Sequence, residues 1–195
     1  MKKILLSLFL VFTTLAAFTQ ASDHLTFKGV PIDGTLDEYV AEMKKNGFSY
    51  LGTDGGIALL NGDFAGYKDC YLGVSTLKQK DLVHNIVVVF SDKDTWSTLS
   101  GNYFNLKDML IEKYGKPSSA SETFDVPSFK LPLDDNDKMY EVKFDNCKYY
   151  SIWETDKGAI QLSIEHNGIS SCFVQLAYFD KINGEKIKAS AIDDL

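Results

Sequence analysis

Arginine is absent from this chain; all twenty basic residues are lysine. Arginine is the side chain best shaped to grip a carboxylate or phosphate through two parallel hydrogen bonds, so its absence counts against phosphoryl transfer and phosphate-ester recognition. Histidine is scarce too. His24, His84 and His166 are the only three, and none stands at a spacing that a structural zinc site uses. Cysteine is limited to Cys70, Cys147 and Cys172, so at least one thiol stays free. Each lies in an apolar or aromatic strand-like run, where buried, inert thiols are expected. A Cys70–Cys147 bridge is one pairing that would join the two halves of the chain. Positive charge is in deficit: the formal net charge is −7. Nucleic acid and anionic lipid are therefore poor partners.

What the chain does hold is core-forming material. Hydrophobic residues make up 45% and aromatics 13%, enough for a packed interior and too much for a disordered polymer. The first residues read as an export signal over 1–21: Lys2 and Lys3, an apolar stretch from Ile4 to Phe18, then small residues ending at Ala21. That stretch is short for a membrane span. A mature chain beginning near Ser22 is expected, periplasmic or secreted.

Punctuation marks then divide the chain. Thr35 caps a helix from Leu36, Glu38 stands at the capping-box position, and Asn46-Gly47 supplies the stop. Leu36, Tyr39, Val40 and Met43 share one face at helical spacing. Strands are predicted over Phe48–Gly52, Ile57–Phe64, Tyr67–Leu77 and Leu82–Phe90, with turn-sized gaps that force antiparallel neighbours. A second helix runs through Leu106, Met109, Leu110 and Tyr114 to Gly115-Lys-Pro117. Strands follow over Glu122–Val126, Met139–Phe144, Lys148–Glu154, Ala159–Glu165 and Ser171–Phe179. Phe129–Asp137 is a loop, and the tail from Asn183-Gly184 onward either forms a short helix around Ile187–Ile192 or frays.

The two halves echo one another. Leu36-Asp-Glu-Tyr-Val-Ala-Glu-Met43 matches Leu106-Lys-Asp-Met-Leu-Ile-Glu-Lys113, and Val88-Val-Phe-Ser-Asp-Lys93 matches Leu176-Ala-Tyr-Phe-Asp-Lys181. The expectation is an α+β protein built as a tandem repeat of a helix packed on a four- to five-stranded antiparallel sheet. Its units are 22–98 and 99–182, with a C-terminal tail over 183–195. A capped helix followed by four antiparallel strands, in tandem, resembles the β-lactamase-inhibitor-protein-like architecture, whose unit the small outer-membrane-assembly lipoprotein domain shares. The segment Phe27-Lys-Gly-Val-Pro-Ile-Asp-Gly-Thr-Leu-Asp-Glu-Tyr-Val40, with Glu112-Lys-Tyr-Gly-Lys-Pro117, is similar to uncharacterised secreted proteins of gut Bacteroidetes. The resemblance implies helices on one face of a sheet and the other face free for partners. It carries no catalytic residue onto this chain.

Chemistry-bearing motifs are weak. Ser75-Thr-Leu-Lys78 matches a Ser-x-x-Lys pattern, which needs a helix to bring serine and lysine together, yet it ends a predicted strand. Asp134-Asp-Asn-Asp137 offers hard oxygen ligands but lacks the glycine and distal glutamate of a calcium loop. Glu141, Glu154 and Glu165 fall on predicted strands with no separation legible between them. No motif calls for a cofactor. Aromatics are the surplus: Tyr140, Phe144, Tyr149, Tyr150 and Trp153, with Tyr67 and Tyr71 earlier. Tyr149, Ser151 and Trp153 share one strand face; Tyr150 and Ile152 take the other. The reading is a non-enzymatic exported binding module offering an aromatic sheet face, with Tyr67, Tyr71, Tyr149 and Trp153 as partner-binding residues and an envelope or extracellular protein as partner. The alternatives are a small secreted hydrolase acting on cell-wall or dietary polymer, and a calcium-responsive periplasmic protein.

Overall fold

The structure, a computed structural model, describes residues 22–77, 80–132 and 134–193; the export signal predicted over 1–21 lies outside the described residues. A small hairpin opens it. β1 (Thr26–Phe27) and β2 (Val30–Pro31) are joined through Lys28 and Gly29, both at positive φ. Helix α1 (Leu36–Lys45) begins as its residues dictate. The Thr35 hydroxyl accepts from the Glu38 N–H, and the Glu38 carboxylate accepts from the Thr35 N–H at 3.0 Å. These two bonds satisfy donors that the first helical turn leaves open.

Strands β3 (Ser49–Asp54), β4 (Ile57–Phe64), β5 (Tyr67–Leu77) and β6 (Lys80–Val89) follow as a meander. Then come α2 (Trp96–Tyr114), β7 (Ser119–Phe124), a 3-10 turn at Ser128–Lys130 and α3 (Asp135–Lys143). Strands β8 (Cys147–Thr155), β9 (Gly158–Asn167) and β10 (Ser171–Asp180) lead into α4 (Lys181–Asp193). Eight strands form one antiparallel sheet in the order β3-β4-β5-β6-β10-β9-β8-β7. The fold is α+β. The central seam is the β6–β10 pair, with Val88 opposite Leu176 and Ile86 opposite Tyr178.

All of the main core lies on one side of that sheet. α1 buries Leu36, Tyr39 and Met43, and α2 buries Leu99, Tyr103, Leu106 and Leu110. α3 adds Met139 and Val142. They meet alternate strand residues: Leu60, Leu72, Val74, Ile86, Val88, Ile160, Leu162, Val174 and Leu176. Each fully buried aliphatic side chain contributes about 1.5–3 kcal/mol relative to exposure. The N-terminal segment is tied to the far end of the chain by Asp180. Its carboxylate accepts the Leu25 N–H and the Asn183 N–H, both at 2.8 Å. The Asn183 amide in turn donates to the carbonyls of Ile32 and Val83.

Three elements differ from the sequence expectation. α2 starts at Trp96, well before Leu106, so the 98/99 boundary falls inside it; Ser97, Thr98, Ser100 and Gly101 are weak helix formers and mask its first turns. The segment expected as a strand over Met139–Phe144 belongs to α3 and its C-cap. Asp134 caps that helix, its carboxylate accepting the Asp137 N–H at 2.9 Å, and Met139 and Val142 are buried at helical spacing. The C-terminal helix starts directly at Lys181. One glycine is required. Gly158, at φ +148, leaves the β8–β9 turn so close to β10 that a β-carbon there would collide with the Phe179 carbonyl.

Candidate functional site

The helices α1, α2 and α3 occupy one sheet face, and side chains of opposite parity form the other. Register partners on neighbouring strands share a face, so this second face can be read as rows. One row crosses all eight strands as Gly52, Leu59, Gly73, Val87, Ala177, Gln161, Ile152 and Ser119. The next crosses them as Ser49, Asn61, Tyr71, Val89, Gln175, Ser163, Tyr150 and Ser121. Neither row contains a charged residue, in a chain that is 24% charged. A third row, Ile57, Ser75, Asn85, Phe179 and Ala159, is likewise uncharged between its ends at Asp54 and Glu154.

Size as well as charge is patterned. Gly73, Ala177 and Ser163 are small and lie low; Ala177 and Ser163 are almost fully covered. Leu59, Tyr71 and Phe179 stand around them at 42, 48 and 41% exposure, with Ile57 at 50%. The face is therefore a shallow trough with large apolar and aromatic walls, about 34 Å across eight strands. Gly184, Glu185 and Lys188 of α4 share a surface hollow with Ala159 and Phe179, so that helix borders the trough along one side. Depletion of charge around exposed Tyr, Phe and aliphatic side chains is what distinguishes the centre of a protein interface from ordinary surface.

Of the four residues expected to bind a partner, Tyr71 stands on this face. The other three lie on the helix side. Trp153 is 2% exposed and its indole N–H donates to the Gly115 carbonyl at 2.8 Å, beneath the end of α2. Tyr149 is half-buried, edge-on to Trp96 at 4.9 Å and to Tyr103 at 5.9 Å. Tyr67 lies edge-on to Phe90 at 5.1 Å and lines a groove with Asn105 and Met109 of α2. Tyr140 and Phe144 are stacked on each other at 4.3 Å at the end of α3. The parity of β8 was legible in the sequence; which parity faced the helices was not. The residues that sequence reasoning missed are Ile57, Leu59, Val87, Val89, Tyr150 and Phe179. Their signal was present: β4, β6 and β10 each hold a run with no charge at either parity, where a solvated face normally alternates apolar with charged.

The remaining motifs are separated by the fold. Ser75 lies in β5, opposite Asn85, which is not the helical setting a Ser-x-x-Lys site needs; Lys78 lies outside the described residues. Cys70 on β5 and Cys147 on β8 are four strand spacings apart in the sheet, about 19 Å, far beyond disulfide reach. All three thiols are free. Burial pushes the Cys147 thiol up to about 12, and burial raises Cys70 and Cys172 too, so all three are held neutral and poorly nucleophilic. His166 places Nδ1 2.8 Å from the Gly168 carbonyl and Nε2 2.9 Å from the Asp145 carboxylate. Both contacts are to acceptors and favour the protonated ring, so its pKa is raised, chiefly through the bond to Asp145. Burial lowers that of His84.

The three glutamates weighed for the hydrolase alternative are not brought together. Glu141 lies on α3 and accepts from the Asn146 amide at 2.7 Å. Glu154 pairs in register with Ala159, and Glu165 stands six residues further along β9, about 20 Å away. Paired glycosidase carboxyls stand roughly 5–10 Å apart. In the acidic segment, Asp134 caps α3 and Asp135 accepts the Ser97 N–H at the start of α2. Among the described residues, no group of three or more His, Cys, Asp or Glu side chains is placed to hold a metal ion. No helix among them is long and apolar enough to cross a membrane. Comparison with family models, curated proteins and solved structures gives no match.

Proposed function

We propose that this protein is an exported, non-enzymatic binding module whose helix-free sheet face receives a protein partner in the envelope or outside the cell. The observation that carries the reading is the pair of uncharged rows crossing all eight strands, with Tyr71 and Leu59 standing out from them and Ile57 beside them in the next row. An acidic chain that keeps such a face free of charge holds it ready for desolvation, because removing an unpaired charge from water is costly. Tyr71, Val87, Val89, Tyr150 and Phe179 form the proposed contact, and Tyr71 is the side chain best suited to anchor it.

The same reading accounts for the architecture. α1 precedes one four-strand meander and α2 precedes the other, and the two join through β6 and β10. We take the halves as diverged copies of one unit, of the β-lactamase-inhibitor-protein-like kind, whose joining doubles the width of the face. The test uses immobilised protein exposed to envelope extract. Wild type and an Asp108→Asn control, changed on the exposed side of α2, should retain the same captured protein. Val87→Glu, which puts a charge at the middle of the face, should lose it while keeping the wild-type far-UV spectrum. Equal retention by all three would overturn the assignment of the face.

A further inference from the structure

Strands β8 and β9 separate before either ends. Their register runs from Thr155 opposite Gly158 to Tyr150 opposite Ser163 and stops there. Yet β8 begins at Cys147 and stays paired with β7 to that point, while β9 stays paired with β10 as far as Asn167. A ladder that opens in this way leaves backbone N–H and C=O groups along both strands without their cross-strand partners. The opening is a pocket of about 210 Å³, lined by Lys148, Tyr150, Gln161, Ser163, Glu165 and His166 among others. That volume is below the range of drug-sized sites and suits a single ring.

A second observation points to an occupant. Ser163 is 3% exposed and its hydroxyl has no hydrogen-bond partner. A buried hydroxyl left unpaired is costly, and it persists where something outside the chain satisfies it. The chemistry of the lining narrows the class. Asp145 is bonded by His166, and the Lys148 ammonium donates to the Asp145 carbonyl at 3.0 Å. With Glu165, the lining carries carboxylates, an ammonium and an imidazole together, so no single sign of charge prevails in it. Ser163 and Gln161 offer donors and acceptors together, and Tyr150 supplies an aromatic surface at the edge.

The geometry points to this gap as a binding site for one neutral, hydroxyl-bearing sugar ring, held by Ser163, Gln161 and Glu165 beside Tyr150. The gap opens from the proposed partner face, with which it shares Tyr150, Gln161 and Ser163, and its occupancy is read by ligand titration with no protein partner present. The test is a titration of the full ¹⁵N-labelled chain with methyl β-glucopyranoside and, separately, methyl N-acetyl-β-glucosaminide; acetate and arginine methyl ester are the charged controls. At least one glycoside should give saturable shifts at the amides of Cys147 to Tyr150 and Ser163 to His166, with a Kd on the order of 1 mM. Ser163→Ala should weaken that binding about five- to tenfold. Ser163→Val, which fills the gap, should abolish it, with amide shifts elsewhere preserved as the check on folding. No saturable shift with either glycoside, equal binding by Ser163→Ala, or tighter binding of a charged control at the same amides would overturn the proposal.

Discussion

Trp153 separates a core role from a surface role by a large margin. Its indole is 2% exposed, and its N–H reaches the carbonyl of Gly115, the residue that ends α2. Trp153→Phe keeps an aromatic ring but leaves that carbonyl without its donor, a loss of about 1–3 kcal/mol. Trp153→Ala also empties the space beneath α2, and aromatic-to-alanine changes in cores cost about 3–5 kcal/mol. That is a large fraction of the roughly 5–15 kcal/mol that holds a domain together. Tyr71→Ala, at a 48% exposed position on the opposite face, should change stability by less than about 1 kcal/mol. Urea unfolding followed by far-UV circular dichroism measures all three without relying on the tryptophan itself. The midpoints should fall in the order Tyr71→Ala, Trp153→Phe, Trp153→Ala, with the first close to wild type. A Trp153→Ala midpoint equal to wild type would refute the placement of β8 and its parity.

The remaining expectations concern pH and one turn. The folded pKa of His166 lies above its ordinary value of 6.5, so its contribution is complete below that pH and is lost as pH rises through the folded value. Because the Asp145 carboxylate is exposed, the contribution should be below about 1 kcal/mol. His166→Asn should flatten that limb of the stability curve, as read by melting temperature between pH 5 and 9. His84 has the opposite sign: burial lowers its pKa, the unfolded chain takes up the proton first, and stability falls as pH drops below 6.5. Gly158→Ala should cost at least about 2 kcal/mol, through both its positive φ and the approach of the Phe179 carbonyl; an unchanged urea midpoint would contradict the tight β8–β9 turn.

Local chemistry made much of the fold legible. Thr35, Glu38 and Gly47 announce α1 from both ends, and the turns around Gly55, Gly66 and Gly168 announce hairpins, so β3–β6 and β8–β10 were readable as strands. Where the signal was local but mixed, the reading failed. Met139 to Phe144 carries alternating apolar residues that suit a strand, and the cap at Asp134 decided for a helix. Trp96 to Gly101 carries poor helix formers that packing of Trp96 and Leu99 overrides. The candidate site was half legible. Strand parity fixes which residues travel together, but only the third dimension says which set lies under α2. Tyr149 and Trp153 travel with Ser151 into the core, whereas Tyr150 and Ile152 travel with Tyr71 and Val87 onto the open face. Aromatic content alone did not separate the two sets, because a large ring is as useful beneath a helix as it is to a partner.

The most direct measurement places a photoreactive benzophenone side chain at position 87, in the middle of the uncharged rows, and at position 109 on the exposed side of α2, in the full-length protein expressed in its own cells. The account predicts a discrete protein adduct after illumination at position 87, absent at position 109. An adduct at position 109 with none at position 87 would contradict it.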